Sequence, residues 1–336
     1  MVRLIPFWME IKNTHIISWL CCLFLIGAAT LCRAQQMPHY SLFDQNLYGF
    51  NPAYAGMDLK LTATGIYRSQ WNGIEGQPER YHFNGHLPVF AWLGGAGLVL
   101  ETEQIGPRRW TQFALSYNYV LSSEFGIFSF GVRPGLRSWA FDGSQLTTPG
   151  GTYEDGALNH EDPVLSTQAL GATQFNVDLG VHYRGFNVNA GVFAQQVLPA
   201  TAQLEEDFGY DANLEWGIYG LYQVEGPYSI EWRPSFLIIS DGQRTQSTLK
   251  VGALLSESYY AHAGVRGYSS QSLDAFIIGG GIKLNDEIWA FFNLDLGLSE
   301  LRNVHSGSQE IIIRYSFLGD IGGIVPPRVI YNSRHM

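Results

Sequence analysis

Between Phe175 and Arg184 the chain alternates without a break. Phe175, Val177, Leu179, Val181 and Tyr183 fall on one side, and Asn176, Asp178, Gly180, His182 and Arg184 on the other. Successive side chains of an extended strand point to opposite faces, so this run is a strand with one apolar and one polar face. The pattern recurs along the chain. Tyr81, Phe83, Gly85 and Leu87 alternate with Arg80, His82, Asn84 and His86. Leu59, Leu61, Ala63, Gly65 and Tyr67 alternate with Lys60, Thr62, Thr64, Ile66 and Arg68. Phe128, Phe130 and Val132 alternate with Ser129, Gly131 and Arg133. Segments of this kind build either a soluble β-sandwich or a closed membrane barrel.

The makeup of the two faces decides between them. A sandwich turns large aliphatics inward and polar residues outward, whereas here the non-apolar face carries Gly and charge of both signs. Aromatics gather near the segment ends: Tyr67 and Trp71, Tyr117 and Tyr119, Trp216 and Tyr222, Tyr259 and Tyr260. Such girdles suit membrane interfaces. The uncharged and apolar stretch Leu87 to Leu100 contains Pro88 and is too short for a spanning helix, which needs about 20 apolar residues, and the longer uncharged run at 185–204 is broken by Asn, Gln, Thr and Pro. Lipid offers a backbone no hydrogen-bond partner, so a chain without such a helix crosses only as a closed sheet. The expected fold is all-β, a transmembrane antiparallel β-barrel.

Fourteen segments are expected, near 59–71, 79–87, 93–102, 110–121, 126–137, 174–184, 186–195, 213–223, 228–239, 246–255, 258–267, 273–284, 287–297 and 309–317. An even number with short joins after the even-numbered segments fits periplasmic turns alternating with longer outer loops. Both chain ends are then expected on the periplasmic side. The face of 273–284 stays open, because Phe276, Ile278 and Ile282 compete with Ala275, Ile277 and Lys283 for the lipid. The triplet Gly279-Gly280-Gly281 reads as a tightly packed or kinked strand.

The first residues read as a Sec signal peptide over 1–34, with Arg3 and Lys12 ahead of the apolar run Ile16 to Leu31 and small residues at Cys32 and Ala34. All three cysteines, Cys21, Cys22 and Cys32, belong to this leader. Its removal takes three cations and one anion, moves the net charge from −10 to −12, and leaves a mature chain with no thiol. So acidic a chain is no nucleic-acid binder. Beyond the leader the expected organisation is a periplasmic N-terminal segment or plug at 35–58, the barrel at 59–317 and a periplasmic tail at 318–336.

No spacing demands catalysis, a cofactor or a metal. Nucleophile-elbow, zinc-protease, phosphate-loop and calcium-loop patterns are all missing. His82 and His86 lie two strand steps apart on one face, roughly 13 Å, which is too far to share an ion. Asp155, His160, Glu161 and Asp162 read as a solvated acidic loop. Arg68, Arg80, Arg133, Arg184, Glu215, Glu231 and Arg233 are expected to brace a polar lumen by ion pairs.

Two clusters carry a resemblance. Asn51-Pro52-Ala53-Tyr54-Ala55-Gly56 precedes the first strand, which ends Tyr67-Arg68-Ser69-Gln70-Trp71 and runs on to Gly73-Ile74. The stretch 94–100 then leads through Glu103 to Ile105-Gly106-Pro107, followed by Ser116-Tyr117-Asn118-Tyr119. In this order the elements resemble the PorP/SprF family of Bacteroidota outer-membrane proteins. The motifs lie within 37–141, and strand rhythm extends the likeness through Phe317. Two departures are Glu103, where the family often has Asn or Asp, and the nineteen residues after Phe317.

The resemblance implies a non-catalytic outer-membrane component of the type IX secretion system. Such a component binds exported surface proteins of the gliding-adhesin kind through their C-terminal domain, contacts other periplasmic and outer-membrane subunits of the system, or does both. The residues themselves allow a passive porin-like channel or a hydrophobic-solute transporter as the alternative. Asn51, Pro52, Tyr54 and Gly56 form a rigid turn that caps the periplasmic mouth, enters the lumen or merely leads into the strand. Tyr67, Arg68, Gln70 and Trp71 end the first strand. Ile105, Gly106, Pro107, Arg108 and Arg109 form a stiff outer turn, either a docking surface carrying two cations or a bulged hairpin.

Overall fold

The computed structural model describes residues 40–317 except 154–158, 163–165, 199, 206–207, 212, 270–271 and 299. The leader, the tail after Phe317 and Asp155 therefore lie outside the described residues. Fourteen strands form the barrel: Leu61–Ser69, Glu79–Val89, Gly94–Ile105, Arg108–Ser123, Gly126–Asp142, Ala169–Gly185, Val188–Gln195, Glu215–Tyr222, Ile230–Ser240, Thr245–Leu255, Tyr259–Ser269, Ser272–Lys283, Ile288–Gly297 and Ser308–Phe317. Each pairs antiparallel with its sequence neighbours, and the eighth meets the ninth with Trp216 opposite Ser240. The ring closes where the first strand meets the last, Leu61 opposite Phe317 and Ser69 opposite Gln309. Closure leaves no edge to be satisfied by lipid.

The alternation sorts side chains as the sequence leads one to expect. Arg80, His82, Asn84 and His86 are buried, while Tyr81 and Phe83 on the same strand are exposed. Asn176, Asp178 and His182 are buried and Phe175 and Leu179 exposed. The exposed apolar band runs around the barrel through Phe113, Leu115, Phe130, Trp216, Leu249, Ile278, Phe292 and Ile311. A surface of that extent belongs against hydrocarbon.

The ambiguous strand resolves with Ala275 and Ile277 inward and Phe276, Ile278 and Ile282 outward. One girdle residue needs correction. Tyr259 faces outward but Tyr260 is buried in the lumen, because adjacent residues of one strand cannot share a face.

The short joins Glu124-Phe125, Phe186-Asn187 and residues 256–258 sit at the end where the last strand finishes, and the long joins 143–168 and 196–214 at the other, although Gly106-Pro107 there is equally short; in outer-membrane barrels this asymmetry goes with a periplasmic side of short turns. At the other end a hairpin of Thr201–Glu205 with Phe208–Asp211 folds against the mouth. There Ala202 packs with Trp110 and Trp139, and Tyr210 stacks on Trp139 at 4.6 Å.

Candidate functional site

Residues 40–58 run through the lumen, folded as short helical turns at Phe43–Gln45, Leu47–Phe50 and Pro52–Tyr54. The last turn is locally encoded. Asn51 Oδ1 accepts from Ala53 N at 2.9 Å, and Pro52 takes the first helical position, where its missing N–H costs nothing. Gly56 has φ +70°, and a Cβ there would run into Leu87 O and Pro88. Its N–H donates to His86 Nδ1 at 3.1 Å.

The first half of this plug is anchored by charge. Glu310 accepts the backbone N–H groups of Ser41 (2.8 Å) and Leu42 (3.0 Å). Arg68 bridges Glu310 at 2.9 Å and Asp295 at 2.7 Å, and Arg266 reaches Asp295 at 2.8 Å. Ser41 Oγ donates to Asp295 at 2.6 Å, closing the cluster. Lower down, Lys250 pairs with Asp44 and donates to Ser41 O at 3.0 Å, while Tyr260 donates to the other Asp44 oxygen at 2.5 Å. Leu42 packs with Ile66, Phe291 and Ile312, so an apolar patch of lumen matches an apolar plug residue.

The second half lies against the opposite wall. Tyr48 bonds Ser116 at 2.7 Å, and Arg133, itself paired with Asp178 at 2.8 Å, donates to the carbonyls of Tyr48 and Gly49. Asn51 Nδ2 reaches Val181 O and Tyr219 Oη. Asn118 Nδ2 donates to Ala53 O at 2.7 Å and Ala55 O at 2.9 Å.

Glycines make this approach possible. A Cβ at Gly131 would strike the backbone of Pro52 and Ala53, one at Gly95 the Ala55 carbonyl, and one at Gly180 the Asn51 amide. Tyr54 sits edge-on between His86 and His182 and donates to Asp58 at 2.8 Å.

The remaining motif residues form the outer rim. Gly106 N donates to Gly76 O at 3.0 Å, so the turn at 105–107 rests on the loop that follows Tyr67, Arg68, Gln70 and Trp71. Gln70 N bonds Pro78 O, Trp71 N bonds Ser308 Oγ, and Tyr67 reaches Glu79. The two cations of the turn part company. Arg108 turns toward the Trp139 and Tyr210 rings, whereas Arg109 is exposed and bonded to Gln104 at 2.9 Å.

The structure thus brings Asn51, Pro52, Tyr54, Gly56 and Arg68 together in the lumen and Gln70, Trp71, Ile105, Gly106, Pro107, Arg108 and Arg109 at the rim. Sequence reasoning missed the partners Asp295, Glu310, Lys250, Arg266 and the lumenal glycines, and it singled out Asn118 within the motif 116–119 without giving it a role. Of the expected bracing pairs, Glu231 meets Arg233 at 2.8 Å, but Arg184 instead donates to Met57 O. Among the described residues no group of His, Cys, Asp and Glu is arranged to hold a metal ion. His82 and His86 face different acids, Glu101 and Asp58.

A family model described as type IX secretion system membrane protein PorP/SprF matches residues 32–315. No curated protein matches the sequence. Solved structures of similar course include the TodX deltaS2S3 mutant monoaromatic hydrocarbon channel, with 11% identity and TM-score 0.44 over 76% of this chain and 89% of that one. The CymD monoaromatic hydrocarbon channel has 10% identity and TM-score 0.47 over 83% and 94%. The outer membrane protein Omp33 of Acinetobacter baumannii has 7% identity and TM-score 0.43 over 77% and 99%.

Proposed function

The chain belongs to the PorP/SprF family of type IX secretion system membrane proteins, and on that premise we propose that it holds an exported partner at the outer membrane rather than passing solutes through it. The plug carries this reading. A segment bonded to both walls of the lumen, through Glu310 and Lys250 on one side and Asn118 and Arg133 on the other, fills the path a solute would take. What remains for a partner is the rim and loops of the outer face, where Arg109 is exposed, and the periplasmic turns.

The partner is an exported surface protein engaged through its type IX C-terminal domain, and the periplasmic turns are the face available to other subunits of the system. The barrel works without catalysis in this reading. Charge complementarity between the loops and the partner sets choice and on-rate. Two measurements test it together. Deleting the gene should leave particular large surface proteins unexported or released into the medium, and the tagged barrel should co-purify with one of them. Normal surface display in the deletion strain sinks the proposal.

A further inference from the structure

The plug ends over a cavity. At the mouth where the short turns lie, a hollow of about 260 Å³ is bounded by Met57 and Leu59 of the plug and by the ends of four strands. Pro88 is next to last in Glu79–Val89, Ser122 next to last in Arg108–Ser123, Ile127 second in Gly126–Asp142 and Arg184 next to last in Ala169–Gly185. Each stands an even number of residues from a buried lumenal side chain, respectively His86, Asn118, Ser129 and His182, so all four face inward. Ser122 lies opposite Ile127 and Ile127 opposite Arg184, which makes one row across three strands. The cavity therefore belongs to the lumen and not to the lipid face. The plug closes its inner side, where Arg184 Nη1 donates to Met57 O at 2.7 Å and Gly56 packs on Leu87 and Pro88.

The lining is apolar except at one edge. Val120, Phe90 and Leu93 complete the walls. Leu59 and Leu93 are more than half exposed, and both hold left-handed backbone, φ +56° and +53°, which leucine rarely adopts. At the edge the Arg184 side chain is exposed, and its one hydrogen bond among the described residues is the one to Met57 O. The neighbouring acid is already engaged: Asp58 accepts from Tyr54 at 2.8 Å and from Thr62 at 3.3 Å, and faces His86 at 3.7 Å. An apolar hollow beside a guanidinium with donors to spare is complementary to an apolar side chain next to a carboxylate. We infer that the cavity binds the carboxy-terminal end of a periplasmic polypeptide, with an apolar last side chain between Met57, Val120 and Ile127 and the terminal carboxylate on Arg184. The volume sets the size, since it falls below the roughly 300–1,000 Å³ of sites for drug-sized ligands and suits one large side chain. The inference takes the short-turn mouth as periplasmic. It does not depend on the partner proposed for the outer face, so normal surface display in a deletion strain would leave it standing.

The test uses the purified full-length barrel in lipid nanodiscs and a fluorescein-labelled glycine–serine peptide that ends in phenylalanine with a free carboxylate, read by fluorescence anisotropy. Saturable binding is expected, weakened about tenfold when the carboxylate is amidated, as for the loss of a charge-assisted hydrogen bond, and lost when the last residue is glycine. Arg184→Gln should bring the free acid down to the affinity of the amide and leave the amide unchanged. Val120→Trp, which fills the hollow and keeps the cation, should abolish binding of both. Heat-modifiable migration on gels confirms that each variant is a folded barrel. Equal binding of acid and amide overturns the role of Arg184, and binding that survives Val120→Trp puts the peptide elsewhere. Displacement of the peptide by laurate at lower concentration than by unlabelled peptide assigns the cavity to a free amphiphile and contradicts the inference. Absence of saturable binding contradicts it too, and binding only to a variant ending at Phe317 would make the occupant a segment of the chain itself.

Discussion

Glu310 and Arg68 stand directly opposite one another in the register that closes the barrel, with 2.9 Å between Oε2 and Nη1. The same carboxylate accepts the N–H groups of Ser41 and Leu42, so one side chain fastens both the seam and the plug. A closing seam and a lumenal plug are therefore not independent parts. Buried charge of this kind is held by mutual pairing, and taking one partner away leaves the others uncompensated.

Arg68→Ala should accordingly be costly. Asp295 would keep Arg266, but Glu310 would lose its only cationic partner among the described residues. A loss of about 3–5 kcal/mol is expected for breaking a buried pair, seen as a lower temperature for the heat-modifiable gel shift. An unchanged shift would show that the pair contributes nothing to the seam.

Gly131→Val should expel the plug without opening the sheet, since the added carbons meet the backbone of Pro52 and Ala53, which has no rotamer to yield. Overpacking of this sort costs about 1–3 kcal/mol. Gly171→Ala is the control, because its Cβ meets only Trp139 O at 3.5 Å. Channel openings in bilayers should appear for the first variant and not for the second.

Asn118→Ala removes the amide nitrogen that reaches the plug's Ala53 and Ala55 carbonyls and the amide oxygen that accepts from Gly95 N. Buried acceptors left unpaired cost about 1–3 kcal/mol. Faster proteolysis in the plug with an intact barrel core is the expected readout. Equal protection would mean that the Asn118 contacts are incidental.

Much of this architecture can be read from the chain alone, and the reason is local. Lipid on one side and lumen on the other impose a period of two, so Phe175 and Asn176 each declare a face without reference to distant residues. Glu231 and Arg233 stand two apart on one strand, so alternation alone puts them on one face, and they pair. Tyr259 and Tyr260 show the limit of counting aromatics instead of phases, since only one of two adjacent residues can belong to the girdle. The plug is less legible because its meaning is nonlocal. The stretch 51–56 announces a rigid turn, but that the turn lies in the lumen depends on Gly131, Gly180 and Asn118, bare or polar positions indistinguishable in sequence from other lumenal ones. Arg68 is recognisable as an inward cation, whereas Glu310 becomes its partner only through ring closure.

Arg109→Glu separates the rim from the scaffold. The Arg109 side chain is exposed and bonds Gln104, while Arg108 packs toward Trp139 and Tyr210. Reversing the exposed charge should leave the gel-shift stability within about 0.5 kcal/mol of wild type and weaken recovery of the exported partner, more so at low salt. Full recovery would remove Arg109 from the docking face.

The most direct measurement is planar-bilayer conductance of the purified wild-type barrel beside a variant lacking residues 40–58. A quiet wild type and a conducting deletion are predicted, because the plug fills the lumen that the strands enclose. A stable open conductance from the wild-type protein would contradict the account and return the barrel to the class of passive channels.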